Sequence, residues 1–78
     1  MTKIEVLGTG CAKCKRLFAN TEQAVKELNI AADLVKVDKL DEIAERGVMM
    51  TPALIINNEI TAEGRVPDVK EIKAMLSE

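Results

Sequence analysis

Only two cysteines occur in the 78-residue chain, and both stand in the stretch Gly8-Thr9-Gly10-Cys11-Ala12-Lys13-Cys14-Lys15-Arg16-Leu17. Two thiols at this spacing can exchange electrons with a disulfide, hold a soft metal ion, or fill a corner of a core. As a structural staple the pair would add little, because the loop it closes is very short, and a reducing cytosol keeps such thiols reduced. The spacing therefore points to a reactive or a metal-binding pair. Structural zinc needs four ligands, and the chain has no histidine and no second cysteine pair. Two thiolates do suit Cu(I), so a small soft-metal carrier is the alternative to redox exchange. A non-catalytic binding module that kept both cysteines is a third, weaker reading.

The chemistry depends on the elements that hold the sulfurs. Lys3 to Leu7 is short, apolar and β-branched, and Gly8 and Gly10 close it, which predicts a strand and a glycine-rich turn. From Cys11 to Asn29 the apolar period becomes helical. Cys14, Leu17, Phe18, Val25 and Leu28 share one face, while Lys15, Arg16, Glu22, Lys26 and Glu27 occupy the other. Cys11 then sits at a helix N-terminus, where unpaired backbone N–H groups and the macrodipole favour a thiolate. Its pKa is expected below that of a free thiol, with Lys13, Lys15 and Arg16 adding positive potential that salt screens beyond about 8 Å. Cys14 lies almost one turn further along the apolar stripe and is expected to be less exposed. Cys11 attacks and Cys14 resolves.

Ala31 to Val37 predicts a second strand, after which Asp38 is expected to cap a short helix containing Leu40, Ile43 and Ala44 and ending at Gly47. Pro52 to Asn57 and Glu59 to Ala62 flank Asn57-Asn58, which predicts a hairpin. Pro67-Asp68 opens a last helix with the stripe Val69, Ile72, Met75 and Leu76. The order is βαβαββα: an α/β fold, one domain over residues 1–78, with a four-stranded mixed sheet and helices on both faces.

Composition narrows the function classes. The chain is 47% hydrophobic and 31% charged with a net charge of −2, so it offers neither the basic footprint of a nucleic-acid binder nor a basic membrane-binding face. Phe18 is the only aromatic residue, which leaves no platform for stacking bases. No stretch approaches the roughly 18 apolar residues of a membrane span. Met1-Thr2-Lys3 leads into a strand rather than a secretory h-region, so a cytoplasmic protein is expected.

Cys11-Ala12-Lys13-Cys14 after the first strand and Met50-Thr51-Pro52 before the hairpin together resemble the thioredoxin/glutaredoxin superfamily over essentially the whole chain. The nearest likeness is to its small prokaryotic redox-active disulfide proteins, thioredoxin-like in behaviour and glutaredoxin-sized. The resemblance implies a minimal thioredoxin fold and a thiol–disulfide oxidoreductase that needs no cofactor and no metal. It also implies protein disulfide substrates, a thioredoxin-reductase-like electron donor and a monomer. Pro52 would follow a cis peptide bond beside the sulfurs, leaving the Thr51 backbone to pair with an extended substrate segment. Lys13 would tune the couple, with a potential between about −270 and −200 mV. Gly10, Ala12, Met50 and Gly64 would contact substrate, although Met49 and Met50 serve equally well as gap-fillers in a core short of aromatics.

Glu5 falls where thioredoxins place a buried acid that assists proton transfer to the resolving cysteine. Read on its own residues, the sequence favours a partly exposed glutamate reaching past the sheet edge to water. The chain also departs from the family. Gly10 stands where thioredoxins carry Trp, Ala12-Lys13 stands for Gly-Pro, and Gly64-Arg65-Val66-Pro67-Asp68 matches the glutathione grip of glutaredoxins only in part. A protein disulfide is therefore expected as partner rather than glutathione.

Overall fold

The computed structural model of the protein describes residues 1–77. Its elements are β1 (Thr2–Leu7), α1 (Ala12–Leu28), β2 (Ala32–Val37), α2 (Leu40–Glu45), β3 (Ala53–Ile56), β4 (Glu59–Glu63) and α3 (Val69–Leu76). The strands form one sheet in the order β2-β1-β3-β4. β1 pairs in parallel with β2 and antiparallel with β3, and β3 pairs antiparallel with β4. The expected βαβαββα order and mixed sheet are both present.

Alternation along the strands builds two cores. Ile4 and Val6 of β1 and Leu54 and Ile56 of β3 turn toward α1 and α3, where Leu17, Ala24 and Ile72 complete a buried cluster. Leu7, Ala53 and Ile55 turn the other way, onto Val37, Ile43 and Val48 around α2. Each fully buried Leu or Ile contributes about 1.5–3 kcal/mol of transfer free energy.

Polar groups settle the element ends. Asn57 (φ 50°) and Asn58 (φ 68°) both adopt left-handed backbone, as the tight turn of a two-residue hairpin loop requires. Asn57 also accepts the Lys3 N–H on its side-chain oxygen at 2.9 Å, pinning the hairpin to β1. Asp68 caps α3 by accepting the Glu71 N–H at 2.8 Å. The expected cap of α2 does not form: Lys39 is the N-cap residue and makes no side-chain cap hydrogen bond, so Asp38 lies outside the helix. Asp41 and Glu42 in the first turn complement the dipole there instead. Leu40 and Ala44 are exposed, and only Ile43 of that helix enters the core.

The buried face of α1 runs through Thr21 and Ala24 as well as Cys14 and Leu17. Thr21 is tolerated there because its hydroxyl donates to the Leu17 carbonyl at 2.7 Å. Phe18, Val25 and Leu28 line the edge of this face and are half-buried.

Candidate active site

Cys11 is the N-cap of α1, with extended backbone (φ −68°, ψ 168°), and its Sγ accepts the Cys14 N–H at 3.1 Å. The leading sulfur thus takes the place of a Ser or Asp cap oxygen, facing amides that the helix leaves unpaired. Cys11, Ala12 and Lys13 are exposed, whereas Cys14 is 3% exposed. The two sulfurs are joined as a disulfide with Cα atoms 5.0 Å apart. Gly10 precedes them in left-handed backbone (φ 92°) with open space where a side chain would stand.

Cys14 is buried against β1. A Cβ on Gly8 would stand 2.9 Å from the Cys14 Cβ and would overlap its Sγ. Gly8 is therefore a site of close approach as well as the end of a strand. The β1–β3 register pairs Leu7 with Ala53, so the next step sets Gly8 opposite Pro52. On the far side Ala53 pairs with Glu63, and the Gly64 N–H donates to the Pro52 carbonyl at 2.9 Å. Gly8, Pro52 and Gly64 form a row across the end of the sheet, with the disulfide over the first of them.

The Thr51–Pro52 peptide bond is cis. Pro52 is buried and Thr51 is exposed, and among the described residues neither the N–H nor the C=O of Thr51 has a backbone partner. Met49 is 91% and Met50 61% exposed. The Met50 side chain lies over Gly64, where an added Cβ would stand 3.0 Å from Met50 Cε. Neither methionine fills the core. Glu63 turns its carboxylate to this loop, accepting the N–H groups of Met49 at 2.6 Å and Met50 at 3.2 Å.

Glu5 is not the partly exposed glutamate the sequence favours. It lies on a central strand between Val35 and Ile55 and is 3% exposed. Arg46, at the C-terminus of α2, donates from Nε to Glu5 Oε2 at 2.5 Å and from Nη1 to the Glu42 carbonyl at 2.9 Å. The carboxylate is buried because a cation follows it in. The hydrogen bond to Glu5 raises the Arg46 pKa further above its ordinary value, against the opposing effect of burial. Lys13, by contrast, makes no ion pair among the described residues.

The structure sets Cys14 against Gly8 and Met50 against Gly64, with Pro52 between the two glycines along the end of the sheet, and three neighbouring residues carry no local signal in the sequence. Gly8 reads as a turn residue, and only the packing reveals its contact with Cys14. Arg46 stands 41 residues from Glu5, beyond any local pattern. Glu63 lies one residue past the expected strand Glu59 to Ala62 and instead closes β4. Nothing beyond the two thiols themselves supports the soft-metal alternative.

Comparison with known proteins agrees with this geometry. A family model described as a thioredoxin domain matches residues 2–77. A thioredoxin of Methanothermobacter thermautotrophicus is 44% identical over 77 residues, covering 99% of this chain and 100% of that protein. A thioredoxin of Methanocaldococcus jannaschii is 45% identical over 76 residues, covering 97% of this chain and 87% of that one. Among solved structures, thioredoxin-2 of a malaria parasite superposes with a TM-score of 0.77 at 17% identity, over 99% of this chain and 82% of its own. Chloroplastic thioredoxin z superposes with a TM-score of 0.77 at 21% identity, over 99% and 76%. These two show a shared fold.

Proposed function

The chain belongs to the thioredoxin family and is a protein-disulfide oxidoreductase, and we propose that Cys11 opens the exchange and Cys14 closes it. In the reduced protein the Cys11 thiolate attacks one sulfur of a target disulfide. That S–S bond breaks, a mixed disulfide forms, and one target thiolate leaves. Cys14 then loses its proton and attacks Cys11 Sγ, expelling the second target thiolate and closing the Cys11–Cys14 bond. The target gains two electrons and two protons. A reductase partner returns two electrons to the pair, and a donor of the thioredoxin-reductase type fits this role.

One observation carries the division of labour: the exposed sulfur caps the helix and its companion is 3% exposed beneath it. An incoming disulfide reaches only the first, and the second meets the mixed disulfide from behind. Thr51, whose backbone has no backbone partner among the described residues, serves as the edge on which an extended partner segment lies. Gly10, Ala12, Met50 and Gly64 complete the proposed partner-contact surface. Pro52 presents no N–H beside the sulfurs and so offers the thiolate no competing donor. Lys13 stabilises the thiolate of the reduced form by its charge, which makes the couple more oxidising. Glu5 supports the site by tying β1 to the end of α2 through Arg46 rather than by moving protons. The protein acts as a monomer of one domain in the cytoplasm.

A Cys14→Ser variant tests the cycle, because it retains the attacking sulfur and lacks the resolving one. Non-reducing electrophoresis with mass spectrometry should find Cys11 in stable mixed disulfides with protein partners. Trapping through Cys14 in a Cys11→Ser variant, with none through Cys11, would overturn the assignment.

A further inference from the structure

The loop Met49-Met50-Thr51 carries the edge on which a partner is read, yet it belongs to no helix or strand. Its amides must find acceptors elsewhere or be left to water. Among the described residues, the Glu63 side chain accepts both the Met49 N–H, at 2.6 Å, and the Met50 N–H, at 3.2 Å. One carboxylate oxygen, Oε2, takes both bonds. Both bonds are exposed to solvent, but a charged acceptor makes them about twice as strong as neutral ones, and two of them converge on one oxygen. The base of this clamp is rigid, because Glu63 is the last residue of β4, paired with Ala53, and the Gly64 N–H bonds the Pro52 carbonyl at 2.9 Å. The loop is thereby fixed from the front by a side chain and from behind by the sheet.

We propose that Glu63 is a positioning residue for partner capture, its carboxylate holding the Met49 and Met50 amides so that Thr51 presents its unpaired backbone in one fixed geometry. This rests on the reading of Thr51 as the edge that pairs with a partner. Glu63 touches neither sulfur, so its effect falls on binding of a protein disulfide and not on the Cys11–Cys14 couple. Without the clamp the loop must be ordered at the moment of binding, and affinity falls by the share of time it spends in other shapes.

The test compares the intact protein with Glu63→Ala and Glu63→Gln, using insulin as the protein disulfide and 5,5′-dithiobis(2-nitrobenzoate) as a small disulfide that has no backbone to pair. Glu63→Ala should raise KM for insulin about tenfold with kcat within about twofold, and leave the small-disulfide rate and the redox potential unchanged. Glu63→Gln keeps an acceptor oxygen without the charge and should recover part of the loss. Amide hydrogen exchange at Met49 and Met50 should accelerate in Glu63→Ala while β1 amides keep their protection, which reads the clamp independently of turnover. Unchanged exchange at both amides, or equal losses with insulin and the small disulfide, would overturn the inference. If the unmodified protein shows no preference for insulin, the reading of Thr51 falls, and the inference with it. If that preference is present and survives Glu63→Ala, the role of Glu63 alone falls.

Discussion

Replacing Gly8 by Ala adds one methyl group and isolates the contact that buries Cys14. Gly8 has no positive φ, so an alanine is compatible with its backbone and the effect is steric. The new Cβ would stand 2.9 Å from the Cys14 Cβ and overlap the Cys14 Sγ. Neither side yields easily: Gly8 is tied to the sheet by its N–H bond to the Val37 carbonyl, 2.9 Å, and Cys14 lies in the first turn of α1. Overpacking of this kind costs about 1–3 kcal/mol. In a domain of this size each kcal/mol lowers Tm by roughly 4–8 °C, so about 2 kcal/mol gives a fall of the order of 10 °C.

The same methyl should separate the two redox states. In the oxidised protein the Cys14 sulfur is held toward Cys11, whereas in the reduced protein its side chain can rotate away from position 8. The clash with Sγ is relieved on reduction and the clash with Cβ is not. Reduction therefore becomes more favourable, and the potential rises by about 30 mV for each 1.4 kcal/mol relieved. Denaturant unfolding of both states, with equilibration against dithiothreitol, measures the two effects. Oxidised Gly8→Ala within about 0.5 kcal/mol of the parent, a scale typical of inert surface changes, would refute the claim that this glycine is required by packing.

Three further substitutions probe the ion pairs and the surface. Arg46→Ala leaves a buried carboxylate without its guanidinium donor and should cost about 1–3 kcal/mol. Glu5→Gln should leave the pH profile of mixed-disulfide resolution unchanged, and a shifted profile in stopped-flow measurements would make Glu5 a proton carrier instead. On the surface, the Glu27 carboxyl is held below its ordinary pKa by the hydrogen bond from Gln23 and then by the hydrogen bond and charge of Lys73. Its contribution to stability is thus present above the ordinary glutamate range and is lost as pH falls through the depressed value. NMR titration should show that carboxyl moving up toward the ordinary range in Gln23→Ala, and no movement would contradict the assigned cause.

The elements were legible where periodicity is local. The apolar stripe of α1, the Asn57-Asn58 turn and the Asp68 cap all depend on residues within a few positions of one another, so the sequence carries them directly. The active-site pair is legible for the same reason, since a helix start fixes both the exposure of Cys11 and the burial of Cys14 within one turn. Thr21 escapes the stripe because its hydroxyl hides a buried position, and its bond to Leu17 explains why that position is tolerated. Asp38 misleads because a good capping residue does not cap unless the chain enters the helix at that point; here it enters one residue later, at Lys39. Glu5 reads as a partly exposed acid, and Glu63, one residue past the expected strand, carries no local signal of its role. Their partners, Arg46 and the Met49 and Met50 amides, are brought in by sheet order and loop path, which no short window contains.

Everything in the catalytic proposal depends on Cys11 being the ionised, accessible sulfur. Timed alkylation of the reduced protein with iodoacetamide across pH, with each cysteine read by mass spectrometry, tests this most directly. Cys11 should be modified first, on a titration curve displaced below the free-thiol value of about 8.5, while Cys14 resists until the fold opens. Modification of Cys14 first, or a Cys11 curve centred at the free-thiol value, would contradict the account.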